Sequence, residues 1–166
     1  YSFSATNDEK VFSGPITSYE KICGALKTGL EKLGIRVQWR GVSKGKEPSF
    51  TDRDCFSLST RHDLVVDDRK IIGSAQRKDR TSFLQHGSLL IEIQKHLWEK
   101  IFLAKPDFSK IISMSEILSN VPDFDTLIKV LKNGFEQFFE SDFEEIHFTS
   151  EDIKEAEKIQ QTFLLV

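Results

Sequence analysis

The segment LVVDDRKIIGSAQR, residues 64–77, decides how this chain folds. Two short apolar stretches, Leu64–Val66 and Lys70–Ile72, flank the polar Asp67-Asp68-Arg69. Apolar strand formers on both sides of a short polar turn predict a β-hairpin. The residues Gly73–Arg77 continue this hairpin.

Strand patterns also occur on both sides of this hairpin. Tyr1–Ala5 and Ile35–Trp39 alternate apolar and polar residues, which is the period of a half-buried strand. Phe83–Ile93 is dense in strand formers and contains Gly87, where a glycine is typical of a bulge or of a close approach by another group. Loops are expected around residues 7–15 and at the polar residues 41–54.

Helical spacing appears after residue 18 and again after Ile93. Ser18 to Gly34 is predicted to be an amphipathic helix, with Ser18 as its N-cap and Gly34 at its C-terminal end. The C-terminal part is predicted to be helical, with two apolar stripes and phenylalanines that belong to the core. The stripes are Phe124, Leu127, Ile128, Leu131, Phe135 and Phe138, and Ile153, Ala156, Ile159 and Phe163.

The order of these elements and the composition define the fold class. The 166 residues, 39% hydrophobic and 30% charged, predict one globular domain over residues 1–166 with an α/β or α+β architecture. No apolar run reaches the roughly 18 residues that a membrane helix needs. Two cysteines are too few for a disulfide scaffold, and no secretion signal is recognisable, so a cytoplasmic location is expected.

Charge is unevenly distributed along the chain. The formal net charge is −3, which argues against a nucleic-acid partner, but residues 36–80 carry +4. The chain opens on Tyr1-Ser2-Phe3-Ser4 without a methionine, in the middle of an alternating pattern. We therefore expect that an N-terminal portion is missing from this sequence.

Three side chains near the hairpin carry reactive groups. Cys55 follows a polar loop with cationic neighbours, which can lower a thiol pKa for nucleophilic attack, although it can equally be a small core residue. Lys70, next to the Gly73 turn, can bind a carboxylate or polarise a carbonyl, or be a solvated hairpin lysine. His86 is a titratable ring in an apolar strand and can also be structural, whereas Cys23 lies on the first helix and is expected to be structural.

Other familiar signatures are absent from the sequence. The histidines and cysteines have no spacing that indicates a metal site, so no metal is expected. The sequence also lacks the glycine-rich phosphate loops and the Gly-x-Ser-x-Gly elbow of hydrolases. From the residues alone, the prediction is a site built from Cys55, Lys70, the Gly73 turn and His86.

The run from Arg61 to Arg77, together with LQHGSLL at residues 84–90, resembles the lipoate-protein ligase A and octanoyltransferase family. The similarity extends to residues 17–34, which resemble the family's first helix, and to residues 130–159, which resemble its C-terminal helices. The resemblance implies the fold of the biotin and lipoate ligase catalytic domain, a mixed β-sheet flanked by helices. The family's Arg-x-x-Gly-Gly segment would precede Tyr1, so the chain would be the C-terminal portion of that domain.

The resemblance also implies roles for single residues. The lysine of the family's Arg-Lys-x-x-Gly-Ser-Ala motif contacts the acyl group and falls on Lys70. The glycine, serine and alanine of that motif fall on residues 73–75 and would line the acyl tunnel, while His86 and the adjacent Gly87 would shape the site. Two further features resemble the cysteine-dependent octanoyltransferases rather than the ATP-dependent ligases, namely Gln76 after Gly73-Ser74-Ala75 and the upstream pair Cys55-Phe56.

The implied reaction is a two-step acyl transfer without a cofactor. Cys55 would take the octanoyl group from octanoyl-acyl carrier protein as a thioester and pass it to a lysine of a lipoyl domain or of the glycine-cleavage H protein. These partners are acidic within the family, which agrees with the positive residues 36–80. Within this reading, Asp68 stands where the family often has a glycine before the Arg-Lys pair.

Three alternatives stay open at this point. The chain could be an ATP-dependent lipoate-protein ligase that uses ATP and magnesium and in which Cys55 has no role. It could be a cysteine-dependent amidotransferase that moves lipoyl groups between proteins. It could also be a non-catalytic accessory half that binds a lipoyl domain.

Overall fold

The computed structural model describes residues 1–7, 12, 15–41, 56, 60–101 and 106–163. These residues form an α/β structure, so the predicted fold class is confirmed. The strands are β1 (Ser2–Thr6), β2 (Gln38–Trp39), β3 (Leu64–Val66), β4 (Arg69–Lys70), β5 (Ile72–Lys78) and β6 (Ser82–Leu89). The helices are α1 (Pro15–Lys32), α2 (Lys95–Ile101), α3 (Met114–Ile117), α4 (Phe124–Phe139) and α5 (Ser150–Phe163), with a 3-10 turn at Phe108–Lys110.

The predicted hairpin is present as β3 and β4. Its turn consists of Asp67 and Asp68, both in the left-handed region with φ of 48° and 61°. Positive φ at both central residues matches the right-handed twist of the flanking strands. Arg69 pairs with Val66 and belongs to the strand rather than to the turn. Aspartate at residue 68 therefore adopts the turn in the place where the family often has glycine.

The described strands form two antiparallel sheets. One has the order β1-β6-β5, with Ser2 opposite His86 and Ser74 opposite Gly87. The other has the order β2-β3-β4, and a parallel bridge joins Lys70 to Ile111 at its edge. The hairpin therefore connects the two sheets, because a single residue, Ile71, lies between the end of β4 and the start of β5.

Two predicted strands are shorter in the structure. β6 ends at Leu89 rather than at Ile93, because the carbonyls of Leu90 and Ile91 accept hydrogen bonds from the first residues of α3 instead of from a strand. In the segment Ile35–Trp39 only Gln38–Trp39 pairs with β3. Ile35 and Val37 are buried as the alternation predicted, but Trp39 is 40% exposed. The buried part of the alternation therefore lies before the two residues whose backbone is paired.

Helix α1 begins three residues earlier than predicted. Its first residue is Pro15, which the sequence pattern assigned to a loop, and Ser18 lies inside the helix rather than at its N-cap. Proline is well suited to the first helical position, because its missing N–H would have no partner there. The C-terminal end agrees with the prediction, as Gly34 has φ of +79°.

Helix α4 packs along α1, and this pair covers the aromatic core. Leu127 is buried, and Phe135 and Phe139 pack against the buried cluster. The expectation that the phenylalanines of the α4 stripe are core was wrong for Phe124, which is 67% exposed, and for Phe138, which is 39% exposed. Ile128 of the same stripe is about half exposed. The contact with α1 is narrower than the apolar stripe, so residues at its edge stay in solvent.

The C-terminal stripe is not part of the core either. In α5, Ile153 and Ile159 are more than half exposed, and the preceding Phe148 is 77% exposed, outside any helix. The helical periodicity of α5 was predicted, but periodicity identifies an apolar face without identifying what covers it. None of the described helices combines the length and the apolarity that would let it cross a membrane.

Candidate active site

Strands β5 and β6 bring six of the sequence-predicted site residues together. Gly73, Ser74, Ala75 and Gln76 of β5 lie opposite Ser88, Gly87, His86 and Gln85 of β6 in that order. The expectation of a turn at Gly73 was wrong, because this glycine is part of a paired strand. Gly87 lies very close to atoms of the neighbouring strand β5, as expected for a glycine inside a strand. A Cβ there would lie 2.6 Å from the carbonyl oxygen of Gly73 and 2.8 Å from the Ser74 Oγ, so any other residue would push the strands apart.

These six residues are divided between two faces of the sheet. Residues directly opposite each other share a face, and successive residues alternate. Ala75 therefore shares one face with the exposed His86, and Gly73 shares it too. Ser74, Gln76 and Gly87 belong to the other face, which α1 covers.

A connected polar network lies between α1 and the second face. The Tyr1 hydroxyl donates to the Ser74 Oγ at 2.8 Å, and the buried Gln85 donates to the Tyr1 oxygen at 3.0 Å. Gln76 in turn donates to the Gln85 Oε1 at 3.0 Å and to the Ser18 Oγ at 3.2 Å. The side chain of Gln76 is therefore engaged with α1 and with β6, which fixes its orientation.

Cys23 lies at the end of this network and is structural, as predicted. Its side chain is 2% exposed, and its Sγ lies 3.7 Å from the Gln85 Nε2. Burial raises the pKa of the Cys23 thiol from an ordinary 9.0 to about 12, and burial likewise raises the pKa of Tyr1 from 10.0 to about 12. A neutral thiol out of contact with solvent is a poor nucleophile.

These two raised pKa values predict that the folded protein loses stability in alkali. Above pH 9 the unfolded chain releases the Cys23 proton while the folded chain keeps it, so the free energy of unfolding falls as pH rises. The expected slope is about 1.4 kcal/mol per pH unit for the thiol from pH 9, and Tyr1 and Tyr19, whose pKa burial also raises, each add a similar slope from pH 10. Urea unfolding between pH 8 and pH 10.5 measures it.

Cysteine variants control this measurement. Cys23→Ala should remove the decline between pH 9 and pH 10, where the phenols of Tyr1 and Tyr19 do not yet contribute. Cys55→Ala should leave the decline in place. A free energy of unfolding that stays flat to pH 10.5 in the unmodified protein would contradict the assignment of a buried, neutral thiol.

Lys70 is buried, which excludes a solvated hairpin lysine. Its residue is 2% exposed, and its Nζ lies 3.1 Å from the Oδ2 of Asp63, a carboxylate that is itself 2% exposed. The backbone carbonyl of Lys70 accepts a hydrogen bond from the Ile112 N–H at 3.0 Å. Both the main chain and the side chain of Lys70 are therefore held in place.

Asp63 is a site residue that the sequence reasoning missed, although a signal for it was available. A two-residue turn at Asp67-Asp68 sets Val65 opposite Lys70. Asp63 precedes Val65 by two residues, so it shares the face of Lys70 and is its diagonal neighbour, within reach of a long side chain. The register of the hairpin thus predicts this ion pair once the turn length is known.

Phe56 covers the glycine that opens the motif. A Cβ on Gly73 would lie 2.8 to 2.9 Å from the Phe56 ring, and that ring is 5.4 Å from the ring of Trp98 in α2. Cys55, the predicted nucleophile, lies outside the described residues, as do residues 42–54 of the predicted loop. The sequence neighbour of Cys55 therefore packs on β5, three residues from Lys70.

Metal ligands do not gather in the part of the chain that the structure describes. Among these residues there is no group of three or more histidine, cysteine, aspartate or glutamate side chains that could hold an ion.

Comparison with known proteins gives the family. The model of the lipoyl protein ligase A/B catalytic domain matches residues 1–136. The chain belongs to the lipoyl protein ligase A/B catalytic domain family. This agrees with the family resemblance of the motif at residues 61–77 and confirms the fold that it implied.

Relatives of this family domain include curated proteins named octanoyltransferase LipM. The one from an Exiguobacterium species is 26% identical over 162 residues, covering 89% of this chain and 58% of its own length. The one from Bacillus subtilis is 24% identical over 177 residues, covering 98% of this chain and 64% of its own length. The chain thus spans about three fifths of the length of these relatives.

Solved structures share the fold of this domain. The crystal structure of lipoate-protein ligase A bound with ATP superposes with a TM-score of 0.73 at 16% identity, covering 95% of this chain and 58% of that one. A bi-partite lipoate protein ligase from Thermoplasma acidophilum superposes with a TM-score of 0.67 at 16% identity, covering 95% and 57%.

Proposed function

We propose that the protein containing this chain is a cysteine-dependent octanoyltransferase of lipoate biosynthesis. It would move an octanoyl group from octanoyl-acyl carrier protein, through a thioester on Cys55, to a lysine of a lipoyl domain or of the glycine-cleavage H protein. Its relatives named octanoyltransferase match most of the chain, which supports this activity over the ATP-dependent ligase.

The observation that carries the proposal is the position of Phe56 on Gly73. The Cys55-Phe56 pair is the feature that distinguishes the transferases by resemblance, and its phenylalanine packs on the glycine of the motif that contains Lys70. Lys70 follows Cys55 by 15 positions in the sequence. The contact of the Phe56 ring with Gly73 brings the chain back to β5. A thiol next to this position would be near a buried ammonium, which favours the thiolate.

In the first step, the Cys55 thiolate attacks the carbonyl carbon of the donor thioester. The new carbon–sulfur bond converts the carbonyl oxygen to an oxyanion, which the Lys70 ammonium stabilises. When the oxyanion collapses, the original carbon–sulfur bond breaks, and the sulfur of the acyl carrier protein leaves and takes up a proton. The octanoyl group is then held as a thioester on Cys55.

In the second step, the neutral amine of an acceptor lysine attacks this thioester. A carbon–nitrogen bond forms, the bond to the Cys55 sulfur breaks, and the amine loses a proton as the amide forms. The cysteine thiolate is regenerated, so no ATP is consumed. Dividing the transfer into two steps lets one site serve a protein donor and a protein acceptor in turn.

Intact-protein mass spectrometry after incubation with octanoyl-acyl carrier protein, without ATP, tests the proposal. The expected result is a mass increase of one octanoyl group, which disappears in Cys55→Ala and on treatment with hydroxylamine. Cys23→Ala is the matched control and should still load, because the buried thiol of Cys23 takes no part.

Other outcomes of this experiment would favour the alternatives. Labelling of a lipoyl domain that requires ATP and survives Cys55→Ala would identify a ligase. A folded protein that neither loads nor labels under either condition, but binds a lipoyl domain, would identify a non-catalytic accessory half.

A further inference from the structure

The carboxylate of Asp63 is anchored independently of Lys70. Its Oδ2 accepts a hydrogen bond from the Thr60 N–H at 2.9 Å, and its Oδ1 accepts one from the Thr60 hydroxyl at 3.0 Å. The Asp63 N–H donates to the Thr60 carbonyl at 3.1 Å, and the Arg40 N–H donates to the Asp63 carbonyl at 3.0 Å. These hydrogen bonds hold the Asp63 carboxylate in place even without its contact to the Lys70 ammonium.

The ion pair between Asp63 and Lys70 is nearly closed to solvent. The two side chains are 1% and 3% exposed, and the atoms in contact are 3.1 Å apart. The Arg40 guanidinium approaches the same Oδ2 at 3.9 Å and pairs with the exposed Asp68 at 3.0 Å. Among the residues that the structure describes, two cations face Asp63, and Lys70 is the closer.

Stability alone does not account for this arrangement. Removing two charges from water costs several kcal/mol per ion, and well-packed apolar residues in the same place are often as stable or more so. The pair instead gives Lys70 a single position. An unpaired lysine has four rotatable side-chain bonds, whereas an ammonium held 3.1 Å from a fixed carboxylate is already ordered when a substrate arrives.

We propose that Asp63 is a positioning residue that acts through Lys70. This inference rests on the proposed function, because it assumes that Lys70 stabilises the oxyanion. Asp63 does not touch the reacting atoms. It holds the Lys70 ammonium in one place, three residues along the chain from Gly73 of β5, so the ammonium meets the developing oxyanion without rearranging. Thr60 contributes to this positioning because its two hydrogen bonds hold the Asp63 carboxylate in place.

The test compares rates of octanoyl loading in single turnovers. Asp63→Asn keeps the size of the side chain but removes its charge, and its maximal loading rate should fall about 10- to 100-fold because the ammonium is displaced. The donor concentration that gives half the maximal rate should stay within about twofold. Asp67→Asn is the matched control, since it makes the same change on the exposed turn four residues away, and it should load at the rate of the unmodified protein.

A double-mutant cycle asks whether Asp63 acts through Lys70. In a Lys70→Met background, Asp63→Asn should change the loading rate by less than about twofold, because the group that it positions is already gone. A residue that supports only the fold would lower the rate by the same factor in both backgrounds. Full additivity would therefore overturn the inference, and so would an Asp63→Asn variant that loads like the unmodified protein.

Thr60→Val provides a milder variant if Asp63→Asn fails to fold. It removes one hydrogen bond to the carboxylate while leaving the charge pair, and its maximal loading rate should fall about three- to tenfold. An unchanged loading rate in folded Thr60→Val would then overturn the inference.

Failure of the proposed function would look different. If the unmodified protein does not load at all, the position of Lys70 is read from its acetylation by an activated ester, with the exposed Lys78 of β5 as internal reference. The ratio of Lys70 to Lys78 modification should rise at least about tenfold in Asp63→Asn, since a lysine released from its carboxylate reacts more readily. An unchanged ratio would show that Asp63 does not hold Lys70.

Discussion

Lys70→Met should load octanoyl groups about 10²- to 10³-fold more slowly than the unmodified protein. Methionine is of similar length and has no charge, so it removes the group that would stabilise the oxyanion while filling much of the same space. The buried Asp63 carboxylate lies 3.1 Å from the Lys70 Nζ, and within the described part of the chain no other cation is as close. The single-turnover rate of loading from octanoyl-acyl carrier protein measures the effect.

A matched lysine variant separates the site from general charge effects. Lys78→Met makes the same change at the exposed end of β5 and should leave the loading rate within about twofold. Because an unpaired buried carboxylate costs about 3–5 kcal/mol, Lys70→Met must be assayed at a temperature where its circular dichroism shows it to be folded. A folded Lys70→Met protein that loads at the normal rate would remove Lys70 from the chemistry.

Gly134→Ala should produce the largest loss of stability among small substitutions in the α1/α4 pair. A Cβ at Gly134 would lie 2.5 Å from the backbone nitrogen of Gly29 and 2.9 Å from the carbonyl oxygen of Ala25. Backbone atoms cannot move aside singly, so the two helices would have to separate. The free energy of unfolding should fall by about 2–4 kcal/mol despite the better helix propensity of alanine, as measured by urea unfolding.

Gly24→Ala is the matched control for this crossing. A Cβ there would lie 2.6 Å from a carbon of the Phe138 ring, which is partly exposed and can rotate away. The gain in helix propensity, up to about 1 kcal/mol, should then offset much of the cost. Equal losses in the two variants would contradict the claim that backbone contact sets the helix spacing.

The local parts of the fold could be predicted because they depend on neighbouring residues. The hairpin follows from two apolar stretches and a polar turn, and the end of α1 follows from Gly34. The start of α1 was missed because Ser18 has the residue type of an N-cap, whereas its hydroxyl bonds to Gln76 across the sheet interface. Ser18 and Gln76 are 58 positions apart, so the residues next to Ser18 in the sequence do not indicate this contact.

The apolar stripes show a second limit of sequence patterns. Leu127 and Phe124 have the same periodicity in α4, yet one is buried and the other largely exposed. Burial depends on how much of the stripe α1 covers, and that contact is set by Gly29 and Gly134 at the crossing. Periodicity therefore predicted the helices correctly but overestimated their share of the core.

The candidate site was predictable in part. Lys70, residues 73–76 and residues 86–87 were proposed as site residues from the sequence, and the pairing of β5 with β6 places most of them together. The roles of the individual residues remain predictions. The polar network of Tyr1, Gln85 and Gln76 was not foreseen, because it depends on the pairing of β1 with β6 over more than 80 residues.

The contact of the Phe56 ring with the Trp98 ring provides an intrinsic fluorescent reporter. The chain has two tryptophans, and the other, Trp39, lies in the second sheet. Indole emission depends on the groups around the ring, so any molecule that lifts Phe56 from Gly73 must also alter the light that Trp98 emits. In a Trp39→Phe variant, the fluorescence of Trp98 alone would report in real time the binding and release of a molecule beside Gly73, without an added label.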